Sequence, residues 1–348
     1  MAGTRGYHNY RGRTSKAKAA LMILLGVVIL AAVVVMLLQR NVVYDETGTP
    51  QLELPWREKP QEEELPDVGD VYITVGEAEK ETVEQMRVQA FSVPVGVLTR
   101  EAWETAAADS AASGCTAVAV TLKDGGTLYF DPNLTIHGTV KTETDTAEVL
   151  QEITGAASGY HTIAKISCFH DSKAANSDVE GLGLKNTGGF IFYDGNNTQW
   201  LDPGKAAARE YLCGIVRAAA ELGFDEILLT DVSYPTEGKL DKIDYGSGAQ
   251  SENLKQFLLE VREVLEPYSM ALSVEVPESV LLNGVDHAAG LVLRDVVETA
   301  DRVYARTSPE QAAYYAAQVS GMGEGILFVP ELPAAEPVPD GSWLRLEK

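Results

Sequence analysis

The chain has 348 residues, 45% of them hydrophobic, and sets 28 lysines and arginines against 51 aspartates and glutamates, a formal net charge of −23. That apolar content excludes a disordered chain and is enough for one large domain or two ordinary ones. Residues 1–40 carry six basic side chains and no acidic one, leaving 22 basic against 51 acidic beyond them, a formal −29 that repels nucleic acid and anionic lipid headgroups alike.

Residues 19–38 (AALMILLGVVILAAVVVMLL) run without a charge or a polar face, over the ~20 residues that cross a hydrocarbon layer as a helix. Arg5, Arg11, Arg13, Lys16 and Lys18 precede this run, whereas Asp45 and Glu46 follow it, so the positive-inside rule places the tail 1–18 in the cytoplasm and the rest outside. The run ends in Met36, Leu37, Leu38, Gln39 and Arg40 with no small-x-small cleavage site, which reads as an uncleaved signal anchor. The expected localisation is the cell membrane, single-pass, with an extracellular C-terminal domain.

Residues 39–87 are expected to form an acidic, proline-rich stalk. Pro50, Pro55, Pro60 and Pro66 stand among glutamates that include Glu62, Glu63 and Glu64, a composition that extends a chain. A strand-like piece at 71–75 and a charged helical piece at 77–86 lead into the globular part.

From residue 88 to 348, continuous apolar runs alternate with amphipathic helical stretches, the pattern of βα units whose strands are buried on both faces. Strands are predicted at 90–98, 115–122, 162–169, 225–232, 270–276, 301–306, 325–331 and 343–346, and helices at 100–113, 145–157, 203–222, 251–266 and 309–320. Eight strands over about 250 residues predict an α/β fold of the (β/α)8 TIM-barrel-like type, preceded by one transmembrane helix. Pro203 after Asp202, Gly114, Gly223 and Ser308-Pro309 supply expected helix ends. Pro333, Pro337 and Pro339 stand where the helix after strand 7 would be. Cys115, Cys168 and Cys213 have no metal or disulfide spacing and read as small buried hydrophobes, and the five histidines show no paired spacing, so no cofactor or metal is expected.

In such barrels chemistry sits at the C-terminal ends of strands. The polar residues there are Lys123 and Asp124, His170 and Asp171, Asp231 and Tyr234, Glu275, Arg306, and Glu331. Carboxylates dominate, and a pair of opposed carboxylates is what glycosidic-bond hydrolysis needs. Asp231, Glu275 and Glu331 are the candidate catalytic residues, with Glu275 as proton donor and Asp231 as nucleophile or base because they end neighbouring strands. Lys123, Asp124, His170, Asp171, Trp200, Tyr234 and Arg306 are the candidate substrate-binding residues. Phe190, Phe192, Tyr193 and Trp200 lie in a long insertion that offers rings to a sugar face or to the core. Asp225 and Glu226, ahead of strand 4, are expected to solvate the barrel bottom or cap its turn, and Trp200, Asp202 and Pro203 to lead into and cap the following helix.

The stretches HTIAKISCFHD, GGFIFYDGNNTQWLDP and AAELGFDEILLTDVSYP, with AVAVTLKDGG before them, resemble a bacterial domain-of-unknown-function family labelled a putative glycosyl hydrolase domain. Ile163, Ala164, Ile166, Phe169, Asp171, Trp200, Asp202, Pro203, Gly223 to Ile227 and Pro235 carry the match, with Lys123, Asp124 and Gly126 in the earlier turn. The resemblance implies a glycosidase-type barrel and a carbohydrate connection. The family's strand-4 aspartate and arginine fall on Thr230 and Ser233, its strand-2 aspartate on Thr121 and its strand-3 arginine on Lys165. Threonine cannot act as a carboxylate nucleophile, and in a regular strand Asp231 points to the opposite side, so it replaces the lost group only where the backbone departs from strand geometry. The replaced pair favours a non-catalytic glycan- or protein-binding module of the cell envelope. The retained Asp124, Asp171 and Glu275 favour a hydrolase of envelope or extracellular polysaccharide.

Overall fold

The Val-, Ile- and Leu-rich runs become strands because each is apolar on both faces and can be buried only between helices outside and other strands' side chains inside. The structure, a computed structural model, describes residues 87–246, 248–323 and 325–346, together with the backbone of two short strands at 42–44 and 50–52. Among these residues no helix is long and apolar enough to cross a membrane. The proposed span 19–38, the tail 1–18, the strand-like and helical pieces at 71–75 and 77–86 and most of the stalk lie outside the described residues. Within the segment expected to be an extended spacer, Val42–Tyr44 and Pro50–Leu52 pair as antiparallel strands.

The unit spanning Glu77–Lys348 holds the barrel. Its strands are β1 (Gln89–Ser92), β2 (Ala117–Asp124), β3 (His161–Ser167), β4 (Glu226–Thr230), β5 (Ala271–Glu275), β6 (Arg302–Arg306), β7 (Leu327–Leu332) and β8 (Trp343–Arg345). Each pairs in parallel with its sequence neighbour, and β8 pairs with β1, so the sheet closes into an eight-stranded parallel barrel. The helices are α1 (Arg100–Ser113), α2 (Thr146–Thr154), α3 (Ser172–Ser177), α4 (Ala206–Glu221), α5 (Gln250–Leu265), α6 (Glu278–Asn283), α7 (Leu293–Thr299) and α8 (Pro309–Ser320). Residues 333–342 contain no helix, and β8 closes the barrel without one.

Several ends follow from single residues. Thr99 caps α1 by accepting from the Ala102 amide at 3.2 Å, and Gly114 ends it at φ 67°, a left-handed position where a Cβ is penalised. Ser308 and Pro309 open α8 as expected. The start of α4 is corrected: it begins at Ala206, because Asp202 spends its carboxylate on the turn before, accepting from the Gly204 amide at 2.9 Å. The short helices α3, α6 and α7 were not foreseen, since six or seven residues are too few for a helical period to show.

Two apolar layers result. Between strands and helices lies the larger, with Leu212, Val216, Phe257, Val261 and Val296 from the helices against Ile166, Leu229 and Val274 from the strands. Inside the barrel Ala90, Ala117 and Ala119 make room for Ile163, Leu228, Tyr304, Val329 and Leu344. Below this inner layer Glu226 corrects the expectation of a solvating role: it is fully buried. Its carboxylate accepts from Ser273 Oγ (2.5 Å), Tyr304 OH (2.8 Å) and Arg302 Nη1 (3.0 Å), and His161 Nε2 lies 2.8 Å away. Asp225, its neighbour, takes the turn-capping role, accepting from the Thr162 amide and hydroxyl at 2.8 Å each. Cys168 and Cys213 are buried free thiols, whereas Cys115 is half-buried.

Candidate active site at the barrel mouth

Strand alternation decides what reaches the mouth. In β3 the inward parity of Ile163 continues to Lys165 and Ser167, and across the ladder Ser167 stands opposite Thr230. The barrel therefore presents Lys165 and Ser167 from β3, Thr230 from β4, Glu275 from β5, Arg306 from β6 and Glu331 from β7 near its C-terminal end.

Asp231 follows Thr230 with φ 53°, left-handed backbone that is uncommon outside glycine but best tolerated by Asn and Asp. This departure ends strand alternation and brings its carboxylate to the inward-facing Ser167, whose hydroxyl donates to Oδ2 at 2.7 Å. The condition under which Asp231 could stand in for a group at position 230 is thus met by a left-handed residue, in place of a bulge.

Around the other two carboxylates lie two cations. Lys165 Nζ donates to Glu331 Oε1 at 3.1 Å and stands 3.9 Å from Glu275 Oε2. Arg306 Nε is 3.7 Å from an oxygen of each glutamate, within ion-pairing range but beyond hydrogen bonding, and its side chain is 72% exposed. Glu331 is fully buried, and its Oε2 has no hydrogen-bond partner. Glu275 keeps 20% of its side chain in solvent. Burial first, then the charge of Glu331, push the Glu275 carboxyl up to about 7 against the pull of Lys165 and Arg306, with Asp231 adding to the upward push. A carboxyl balanced near neutrality at a barrel mouth can deliver a proton to a leaving oxygen, and a second carboxyl group at the end of the adjacent strand is the partner such chemistry calls for.

The remaining candidates lie elsewhere. Lys123 and Asp171 have no exposed side-chain surface: Nζ stands 3.0 Å from Asp171 Oδ2 and donates to the carbonyls of Gly125 (2.6 Å) and Ser167 (2.9 Å). Asp171 also caps α3 through the Ala174 amide at 2.9 Å. Burial removes both from substrate and makes them a tie between β2 and the β3 loop. We expect Lys123→Met, which strands the Asp171 charge, to cost about 3 kcal/mol in urea denaturation; an unchanged midpoint would refute the tie.

Tyr234 is likewise corrected from ring-stacking to packing: it is fully buried, edge-on to Tyr245, with its hydroxyl accepting from Asn253 Nδ2 at 3.0 Å. Asp124 is exposed at the end of β2, paired across its turn with Thr127. His170 and Trp200 stack on each other, ring centroids 4.6 Å apart, with Trp200 Nε1 donating to Asp194 Oδ2 and His170 Nε2 against Thr198 Oγ1, 2.9 Å each. Asp231, Glu275, Glu331 and Arg306 are the candidates gathered at one place. Ser167 joins them unforeseen, and Lys165, matched to a family arginine though not named among the candidates, joins them too; its inward parity with Ile163 was available in the strand HTIAKISCF. Among the described residues no cluster of three or more His, Cys, Asp or Glu side chains is placed to hold a metal ion.

A closed parallel barrel with ionisable groups gathered at its C-terminal mouth is an architecture shared by barrel enzymes of many chemistries. The profile of the family described as "Putative glycosyl hydrolase domain" matches residues 102–317, and the chain belongs to that family. Among solved structures it is similar to the glycoside hydrolase domain of PgaB (BpsB) from Bordetella bronchiseptica, with 15% identity and a TM-score of 0.51 over 71% of this chain and 84% of that one. At that identity the likeness concerns the fold. A hypothetical protein from Ruminiclostridium thermocellum shares 25% identity over 51% of this chain and 91% of its own, with a TM-score of 0.45. Aspergillus fumigatus Ega3, solved with galactosamine, shares 10% identity over 71% of this chain and 79% of its own, with a TM-score of 0.40. No curated protein sequence matches.

Proposed function

We propose that the protein is a glycosidase of cell-envelope or extracellular polysaccharide, with Glu275 as proton donor and Asp231 as nucleophile or general base. The observation that carries this reading is the left-handed backbone at Asp231, which supplies a second carboxylate on the strand beside a glutamate raised to about 7. Lys165 orients Glu331 by donating to its Oε1 at 3.1 Å, and the guanidinium of Arg306, beyond hydrogen-bond distance of both glutamates and 72% exposed, keeps donors for a sugar hydroxyl. A glycan screen scored for both cleavage and retention tests the reading, and retention of a polysaccharide without any cleavage would defeat it.

One observation favours the second reading, a non-catalytic glycan- or protein-binding module: two cations already sit among the carboxylates of the mouth. The 3.7 Å separations at Arg306 leave Glu275 without a guanidinium hydrogen bond, which supports the hydrolase over the binder.

We further propose that the chain is anchored through 19–38 with its N-terminus in the cytoplasm and its barrel outside on an acidic stalk. The charge asymmetry about the span supports this orientation. Protease added to intact cells should release the barrel and leave a small anchored fragment. Full protection beyond residue 41 would reverse the orientation.

A further inference from the structure

The long connection from α3 to α4, residues 178–205, folds against the β4 to α5 connection, residues 231–249. Bridges join Lys185 to Ile191 and Asn186 to Ile243. The Thr187 amide donates to the Lys242 carbonyl (2.8 Å) and the Asp244 amide to the Lys185 carbonyl (2.9 Å). Gly195 and Gly238 meet backbone to backbone: Gly238 has φ +98°, and a Cβ there would stand 2.8 Å from the Gly195 nitrogen. These fastened loops enclose a groove of about 590 Å³ walled by Asn186, Thr187, Tyr193, Gly238, Lys239 and Lys242, a volume within the range of ligand sites. None of the mouth carboxylates lines it.

The lining has a definite chemistry. Tyr193 is 49% exposed and Phe190, whose ring lies against Gly188 at the groove's edge, is 74% exposed. The exposed ring of Tyr193 in the groove wall is a surface suited to a flat, partly apolar partner. The one carboxylate in the wall, Asp194, is spent internally. Its Oδ1 accepts from the amides of Asn196 (2.9 Å) and Thr198 (2.8 Å), and its Oδ2 from Thr198 Oγ1 (2.6 Å) and Trp200 Nε1 (2.9 Å). The Lys239 ammonium makes no side-chain hydrogen bond or ion pair with any described residue, although its backbone carbonyl accepts from the Lys242 amide and its charge acts on Asp241, and Lys242 pairs with the exposed Asp241 at 2.8 Å. The groove thus offers an aromatic face and surplus donors, with no carboxylate left over in its wall to meet a cation. Through Asp194, Trp200 and His170 it is joined to the end of β3, at the same face of the barrel as the mouth.

We propose that this groove is a second sugar subsite, taking a pyranose unit that stacks on Tyr193 and presents an acceptor oxygen, acetamido carbonyl or carboxylate, to Lys239 and Lys242. The assignment rests on the reading of the barrel as a polysaccharide-acting domain. A cationic amino sugar is disfavoured by the unpaired Lys239 ammonium and by the lack of an uncommitted carboxylate in the wall.

The test is titration calorimetry of the full-length chain with three probes: a chitin oligosaccharide (acetamido), an oligogalacturonate (carboxylate) and a chitosan oligosaccharide (cationic). At least one of the first two should bind and the third should not bind in the groove. Tyr193→Ala and the double change Lys239→Ala with Lys242→Ala should each weaken that binding tenfold or more, whereas Tyr314→Ala, which removes an exposed ring on α8 away from groove and mouth, should leave it within twofold. Binding that weakens steeply with salt identifies the carboxylate, and salt-tolerant binding the acetamido group. Binding indifferent to both groove changes, or no binding of either acceptor probe, overturns the subsite. Glu275-dependent cleavage with no effect of the groove changes removes the subsite and keeps the hydrolase; groove binding without any cleavage keeps the subsite and removes the hydrolase.

Discussion

Glu275→Gln is expected to lower the turnover of polysaccharide cleavage by two to four orders of magnitude, roughly the range for loss of a positioned proton donor. Glutamine keeps the size and the contacts to Lys165 and Arg306 but has no proton to give. In the unsubstituted protein kcat/KM should fall as pH rises through about 7, where burial and Glu331 place the carboxyl's titration, and that limb should vanish in the variant. Stability should not fall in parallel. A carboxyl raised above its unfolded value binds its proton more tightly when folded, so stability declines as pH rises from about 4.5 to about 7. Glutamine removes that decline, and denaturation at pH 8 should show the variant at least as stable as the parent. A variant with full activity, or one that unfolds at pH 8, would remove Glu275 from the acid role.

Glu226→Ala should be the most damaging single change to the fold, about 5 kcal/mol in urea denaturation, with Arg302 and Tyr304 left buried and without their shared acceptor. Burial alone would raise this carboxyl, but the His161 hydrogen bond, the Arg302 charge and the Ser273 hydroxyl outweigh it, and the folded value is lowered. Its stabilisation is therefore present above the ordinary carboxylate range near 4.5 and is lost as pH falls through the lowered folded value. Acid titration of the parent should show a drop on the acid side of the ordinary carboxylate range that the variant lacks. A loss under 1 kcal/mol would mean that the network below the inner apolar layer is replaceable by packing.

The barrel was legible because its strands are unbroken apolar runs, such as AVAVTL and EILLT, and because Gly114, Gly223 and Ser308-Pro309 mark helix ends with known chemistry. The short helices at 172–177, 278–283 and 293–299 were not, since nothing periodic fits in so few residues. At the mouth, Glu275, Glu331 and Arg306 could be found from strand-end position alone. Lys123, Asp171 and Tyr234 show the weakness of that rule: a polar residue after a strand is as able to tie loops together as to face solvent, and only burial tells which. Glu226 failed for the same reason in reverse. It begins a strand, but its inward parity with Leu228 carries it into the barrel, where Ser273, Tyr304 and Arg302 wait on three separate strand positions no local pattern connects.

The left-handed residue at position 231 bears on how relatives should be compared. An acid at the end of a barrel strand is addressed by a dihedral angle as much as by its column in an alignment, because one residue of left-handed backbone undoes one step of strand alternation. A threonine at position 230 is therefore no mark of a dead enzyme when an aspartate follows it with φ near 53°. Sorting such chains into active and inactive by column identity would misfile those that have moved the group by one residue and turned the backbone to bring it back.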